Sequence, residues 1–216
     1  MKLNKEIKTT LLTLGLAAAT TMISQAAISI TNHSFEDDVL ADGAAATTGT
    51  TGWVNNGSGH FNPQDAQIFG TTGSGLIPGG DGSQVAFINF GPFYQNIGTI
   101  EANSIYELTV AIGARRDLSW ANLTVALRAS SETGTVLASQ VYVHADAPVG
   151  SFTDVSFSFD SNDFAGEVGN DLFVTFSAAP QPLIDNVRVT ETLVPEPSTT
   201  ALLGLGGLAL ILRRRK

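Results

Sequence analysis

The chain contains no cysteine. That excludes a disulfide framework, a thiolate metal centre and a cysteine nucleophile together. Lysine is missing from residues 27–197, where four arginines stand against 19 of the 20 acidic residues, a formal charge of −15. Nucleic acid is excluded as a partner, because phosphate recognition needs clustered Lys and Arg. The three histidines, His33, His60 and His144, are scattered without metal-ligand spacing. There is no G-x-S-x-G elbow and no phosphate-binding P-loop. Long apolar runs are confined to the two ends.

The first of these runs, from Leu11 to about Ile23, follows Lys2, Lys5 and Lys8 and precedes Ser24-Gln25-Ala26. A basic start, a short apolar segment and a small-x-small close predict a secretory signal peptide over 1–26, cleaved after Ala26. The second run leads from Thr199 to Leu212 and stops at Arg213, Arg214, Arg215 and Lys216. As a helix it would reach about 21 Å, short of a hydrocarbon core of roughly 30 Å. It is a marginal span whose terminal cations favour the cytoplasmic side. Immediately ahead lies Val194-Pro195-Glu196-Pro197-Ser198, held extended by its prolines and open to a protease.

This arrangement resembles the PEP-CTERM sorting signal of exported bacterial proteins, with Pro195, Glu196 and Pro197 as the motif. The resemblance implies recognition of residues 193–216 by an exosortase-type processing enzyme. It also implies sorting to the cell envelope or an extracellular polysaccharide matrix, with at least transient membrane anchorage by the 199–212 helix.

Between the two signals, residues 27–192 show period-two alternation. Tyr106, Leu108, Val110 and Ile112 share one face, as do Leu123, Val125 and Leu127. Val155, Phe157 and Phe159 form another set, and Leu172, Val174 and Phe176 a fourth. Val85 with Phe87, Leu137 to Val143 and Ile184 to Val189 supply further strands. Glycine, asparagine, aspartate and proline punctuate these runs, which predicts one antiparallel all-β sandwich and a single core. Gly43 to Gly59 is expected as a long surface loop anchored by Trp53-Val54, and Gly70 to Gly82 as a second loop.

Asn32-His33-Ser34-Phe35-Glu36, a later Gly52-Trp53 and the closing Asp185-Asn186-Val187-Arg188-Val189 resemble the terminal strands of galactose-binding-like jelly rolls. That group includes many carbohydrate-binding modules. The resemblance implies a jelly roll over the body, and terminal-strand acids that hold a structural calcium, here Glu36 and Asp185. Calcium takes about six to eight hard oxygens, so backbone and water would have to complete the set. The alternative is that Glu36 ends a strand and Asp185 caps a turn.

A second candidate is the loop of Arg115, Arg116, Asp117 and Trp120, a planar ring beside charged donors and acceptors suited to a polysaccharide. Its alternative is Trp120 folded over the sandwich edge, with the arginines paired to surface acids. The expectation is an exported, carbohydrate-contacting module that is not an enzyme. A structural matrix component is the runner-up and a polysaccharide-acting enzyme the third reading, with no catalytic residue assigned.

Overall fold

The computed structural model describes residues 24–63, 79–89 and 91–194. The expected signal helix up to residue 23 and the tail from Pro195 to Lys216, with its motif and basic stop, lie outside the described residues. Among the described residues no helix is long and apolar enough to cross a membrane.

The alternating runs become strands because side chains on a pleated chain point to opposite faces, so one phase can be buried. The first sheet contains β1 (Gln25–Ile28), β2 (Ala45–Ala46), β4 (Gly59–Phe61), β5 (Val85–Phe87), β7 (Ser104–Gly113), β10 (Phe152–Asp160) and β12 (Leu183–Leu193). Its order is β10-β7-β12-β5-β4-β2, with β1 also beside β12. The second is β3-β6-β11-β8-β9, built from β3 (Val54–Asn55), β6 (Phe93–Thr99), β8 (Asn122–Ala129), β9 (Val136–Tyr142) and β11 (Asp171–Ala179). Every pairing between these strands is antiparallel. The molecule is the all-β sandwich that the alternation predicts.

The inner faces meet over Tyr106, Leu108, Val110 and Ile112 from β7, Leu123, Val125 and Leu127 from β8, and Leu172, Val174 and Phe176 from β11. Two features differ from the sequence expectation. The stretch from Gly43 to Gly59 is not loop throughout, because β2, β3 and the first residue of β4 lie in it. Strand β6 was not anticipated, because its inward phase carries Gln95 between Phe93 and Ile97. The Gln95 amide is satisfied inside: it accepts from Thr31 N at 2.9 Å and donates to Thr31 O at 3.0 Å.

Tyr106 ties the centre of the first sheet to its end. Its hydroxyl accepts from Glu101 N at 2.7 Å and donates to Glu191 Oε1 at 3.2 Å. Burial, chiefly, pushes the phenol up to about 12, so it stays protonated throughout the physiological range. Tyr106→Phe should therefore cost about 1–2 kcal/mol at any neutral pH, since two partners lose a bond while the ring is kept. Urea denaturation measures this, and an unchanged midpoint would mean that the hydroxyl contributes nothing.

Candidate functional site

The outer face of the first sheet is not a plain solvated surface. Ala86, Val110, Ile112 and Ile184 point into the main core, so their strand neighbours point out. Those neighbours, Val85, Phe87, Ala111 and Leu183, join Phe61 and Phe152 in a second buried apolar cluster. Phe61 and Phe87 meet edge to face with centroids 6.0 Å apart. The sequence reading put Val85 and Phe87 in the same strand but did not separate the two faces.

Asp185 lies on this face, next to Leu183 and opposite Ala111, and is fully buried. Its Oδ2 accepts from Asp81 N and its Oδ1 from Asn186 N, both at 2.7 Å. Burial pushes the carboxyl up to about 8. The two backbone N–H donors pull the other way, and the charges of Asp81 and Glu36 add to the rise. The rise favours the neutral carboxylic acid at neutral pH, in a position closed to water.

The segment from Gly79 to Gln84 passes over this acid. Gly79, at φ +80°, runs so close to Phe152 that a Cβ there would land on its carbonyl. Glu36 holds the other end: its Oε1 accepts from Ser83 N at 2.7 Å and from Gln84 N, and Oε2 from Ser83 Oγ at 3.2 Å. Glu36 and Asp185, paired in the sequence reading as calcium ligands, thus converge on one loop. In this arrangement their oxygens take backbone N–H groups. Among the described residues no group of three acidic or histidine side chains is placed to close on one ion.

Arg115 stands at the rim of the same face. Its Cζ lies 5.9 Å from the centroid of the Phe61 ring. Its Nε and Nη2 donate to the two oxygens of Asp117 at 2.9 and 2.7 Å, and Nη1 donates to Gln181 Oε1 at 2.7 Å. Arg116 is exposed on the adjoining turn. Trp120 is separated from this group: it is 4% exposed, packed in the main core and set edge-on to His144 at 5.6 Å. The loop therefore does not present the open ring that a stacked sugar would need. Trp120 supplies core area instead.

A different surface also carries aromatic rings. On the outer face of the second sheet, Tyr94 and Phe173 are half-buried, with centroids 6.2 Å apart and planes inclined at 55°. Beside them runs a groove of about 360 Å³ lined by Pro92, Arg128, Glu132, Thr133, Thr175 and Ser177, with Phe176 at its floor. Thr175 faces Tyr94 in the ladder, and Arg128 faces Phe173. Sequence reasoning missed these residues. The available signal was phase: Phe173 falls between the core residues Leu172 and Val174, so it must point outward.

These features define an antiparallel jelly-roll sandwich with a buried acid on the outer face of one sheet and a polar groove on the other. The chain belongs to the HpiC1-like family (HpiC1 cyclase), whose model matches residues 26–190. Residues 193–216 match the PEP-CTERM protein-sorting motif. An apo-form cyclase from Fischerella sp. is 19% identical, with a TM-score of 0.61 over 80% of this chain and 99% of that one. A cyclase from Fischerella sp. TAU solved with 4-(1H-indol-3-yl)butan-2-one is 18% identical, with a TM-score of 0.61 over 79% of this chain and 100% of that one. A xylan-binding module, CBM15, is 14% identical, with a TM-score of 0.41 over 81% of this chain and 99% of that one. No curated protein matches the sequence.

The expectation of a non-enzyme is corrected by the family match, since the solved structures of this fold include cyclases. Membership of that family was not legible as a local motif, because the sequence carries no G-x-S-x-G elbow, no P-loop and no histidines at metal-ligand spacing. The sorting motif, in turn, implies export to the cell envelope and processing by an exosortase-type enzyme.

Proposed function

We propose that the exported domain is a cyclase-type catalyst in which Asp185 hands a proton to an apolar, aromatic-bearing substrate held against Phe61, Phe87 and Phe152. The proton would go to an unsaturated carbon or nitrogen, and the resulting cation would close a carbon–carbon bond. Loss of a proton back to the carboxylate would balance the step as an isomerisation. The observation that carries this reading is the position of Asp185, a fully buried carboxyl beside an aromatic cluster. A rim guanidinium over Phe61 suits an electron-rich ring. Indole ketones are the probe to use, because a structural relative was solved with one. Calorimetry with 4-(1H-indol-3-yl)butan-2-one should register binding that is weakened at least tenfold in Phe61→Ala with Phe87→Ala. No heat at millimolar ligand would reject this substrate class.

A second reading, carbohydrate contact at the envelope, is favoured by the groove on the opposite sheet. Hydroxyls of Thr133, Thr175 and Ser177, one cation, one anion and two tilted rings match the mixed apolar and polar faces of a sugar chain. Affinity electrophoresis in gels cast with the producer's polysaccharide should retard the protein, and Tyr94→Ala with Arg128→Ala should abolish the retardation. Equal mobility of the two proteins would leave the body a matrix component without a glycan site. The tail from 199 to 212 would anchor the protein to the membrane until processing, which intact-mass analysis of cell fractions would reveal. A structural calcium at Glu36 and Asp185 is the competing proposal for this acid: a divalent cation would neutralise the crowded carboxylates, and by holding Asp185 ionised it would exclude the proton transfer.

A further inference from the structure

The expected signal peptide and the sorting tail, far apart in sequence, leave the domain side by side. Strand β1 lies along the last part of β12: Gln25 faces Thr192, Ala26 faces Glu191, Ala27 faces Thr190 and Ile28 faces Val189. Beyond the strand, Leu193 N donates to Ser24 O at 3.2 Å. The bond between Ala26 and Ala27 therefore sits inside a ladder, with pairs on both sides of it. The side chains of Ser24, Gln25, Ala26 and Ala27 are exposed, so the small-x-small pattern is on view. The backbone is what the ladder engages. A peptidase takes its substrate as an extended chain whose backbone groups are free to pair with the enzyme, so the strand must first leave the sheet.

Among the described residues, the partner strand is the last one made. β12 is central in its sheet, with β7 on one side and β5 and β1 on the other. Without it, the β10-β7 pair and the β5-β4-β2 group share no ladder. This sheet cannot close until residue 193 is available, and until then β1 has no strand to pair with.

We propose that the Ala26–Ala27 bond is open to the signal peptidase only before β12 docks, and that docking of β12 closes the site on any precursor that still carries its signal. The proposal rests on the expected cleavage after Ala26. The chemistry is the peptidase's own hydrolysis of one amide, consuming one water and leaving a carboxylate on Ala26 and an amine on Ala27. Removal of residues up to 26 leaves only the Ala27–Thr190 and Ile28–Val189 pairs. The order of events is thus built into the topology: N-terminal processing comes first, closure of the sheet second.

The test uses full-length precursor, signal retained, folded in detergent micelles and exposed to a signal peptidase. It should be cut at least tenfold more slowly than a chain ending at Gln181, which has the same cleavage sequence and lacks β12. Leu193→Pro, which removes the N–H given to Ser24, should fall between the two. Equal rates for the folded full chain and the shortened chain would overturn the proposal. So would N-terminal sequencing that places the cut before Gln25, where β1 would survive processing whole, or beyond Ile28, where it would be removed entirely.

Discussion

Raising the pH from 5 to 9 should cost the folded protein roughly 4 kcal/mol through Asp185 alone, and Asp185→Asn should remove that slope. The folded state keeps the Asp185 proton to about pH 8, whereas an unfolded aspartate releases it near 3.9. Throughout that window the folded state binds the extra proton, so each pH unit upward costs about 1.4 kcal/mol. The stabilisation is complete below about pH 4 and is lost as the pH climbs through 8. Urea midpoints at pH 5, 7 and 9 for both proteins measure the effect. Asp81 and Glu36, the charges that act on Asp185, remain in the variant, and so does His33, 3.6 Å from Asp81. The difference between the two proteins therefore reports Asp185 together with its coupling to these neighbours. Parallel slopes would show that the carboxyl is already ionised in the fold. Calcium gives the experiment a second arm, because an ion at Glu36 and Asp185 would favour the carboxylate and flatten the wild-type slope. A slope indifferent to millimolar calcium and to chelator would reject the ion.

That acid shows where sequence reasoning succeeds and where it stops. Alternation in Tyr106 to Ile112 and in Leu172 to Phe176 fixes which phase is buried, because one face of a paired strand must be apolar. The sandwich and most of its strands followed from that rule. Asp185 and Glu36 were also legible as a pair, through the terminal-strand patterns, and they do converge on Gly79 to Gln84. Their surroundings were not legible. Phe61, Val85, Phe87, Ala111, Phe152 and Leu183 come from five strands, and each looks ordinary in its own segment. Only the topology, which lays β5, β12, β7 and β10 side by side, turns them into one face. Trp120 failed for the opposite reason. A ring in a polar loop suggests exposure, yet the loop folds back and the core takes the ring, because an indole buries more apolar area than its neighbours can replace.

The heaviest single loss of stability should come from Trp53→Ala, at about 3–5 kcal/mol. Trp53 is 5% exposed and lies parallel to Phe93, with 4.9 Å between centroids and 3° between planes. Phe35 and Phe176 tilt against it at 5.5 and 5.9 Å, so one ring joins the N-terminal turn to β6 and β11 of the second sheet. Its indole Nε1 donates to Asn32 O at 3.1 Å. That bond holds a turn with two residues at positive φ, Asn32 at 51° and Phe35 at 63°. A phenylalanine in that region is costly and persists only where its surroundings hold it. Trp53→Phe separates the two contributions: it keeps most of the apolar contact and leaves the Asn32 carbonyl with only the Phe35 N–H, at 3.2 Å, so it should cost only about 1 kcal/mol. The turn also delivers Glu36 to Ser83 and Gln84, and with them the loop over Asp185. Trp53→Ala should therefore shrink the Asp185 pH slope as well as lower the urea midpoint. A variant that loses stability but keeps the full slope would show that the loop is held over the acid independently of this turn.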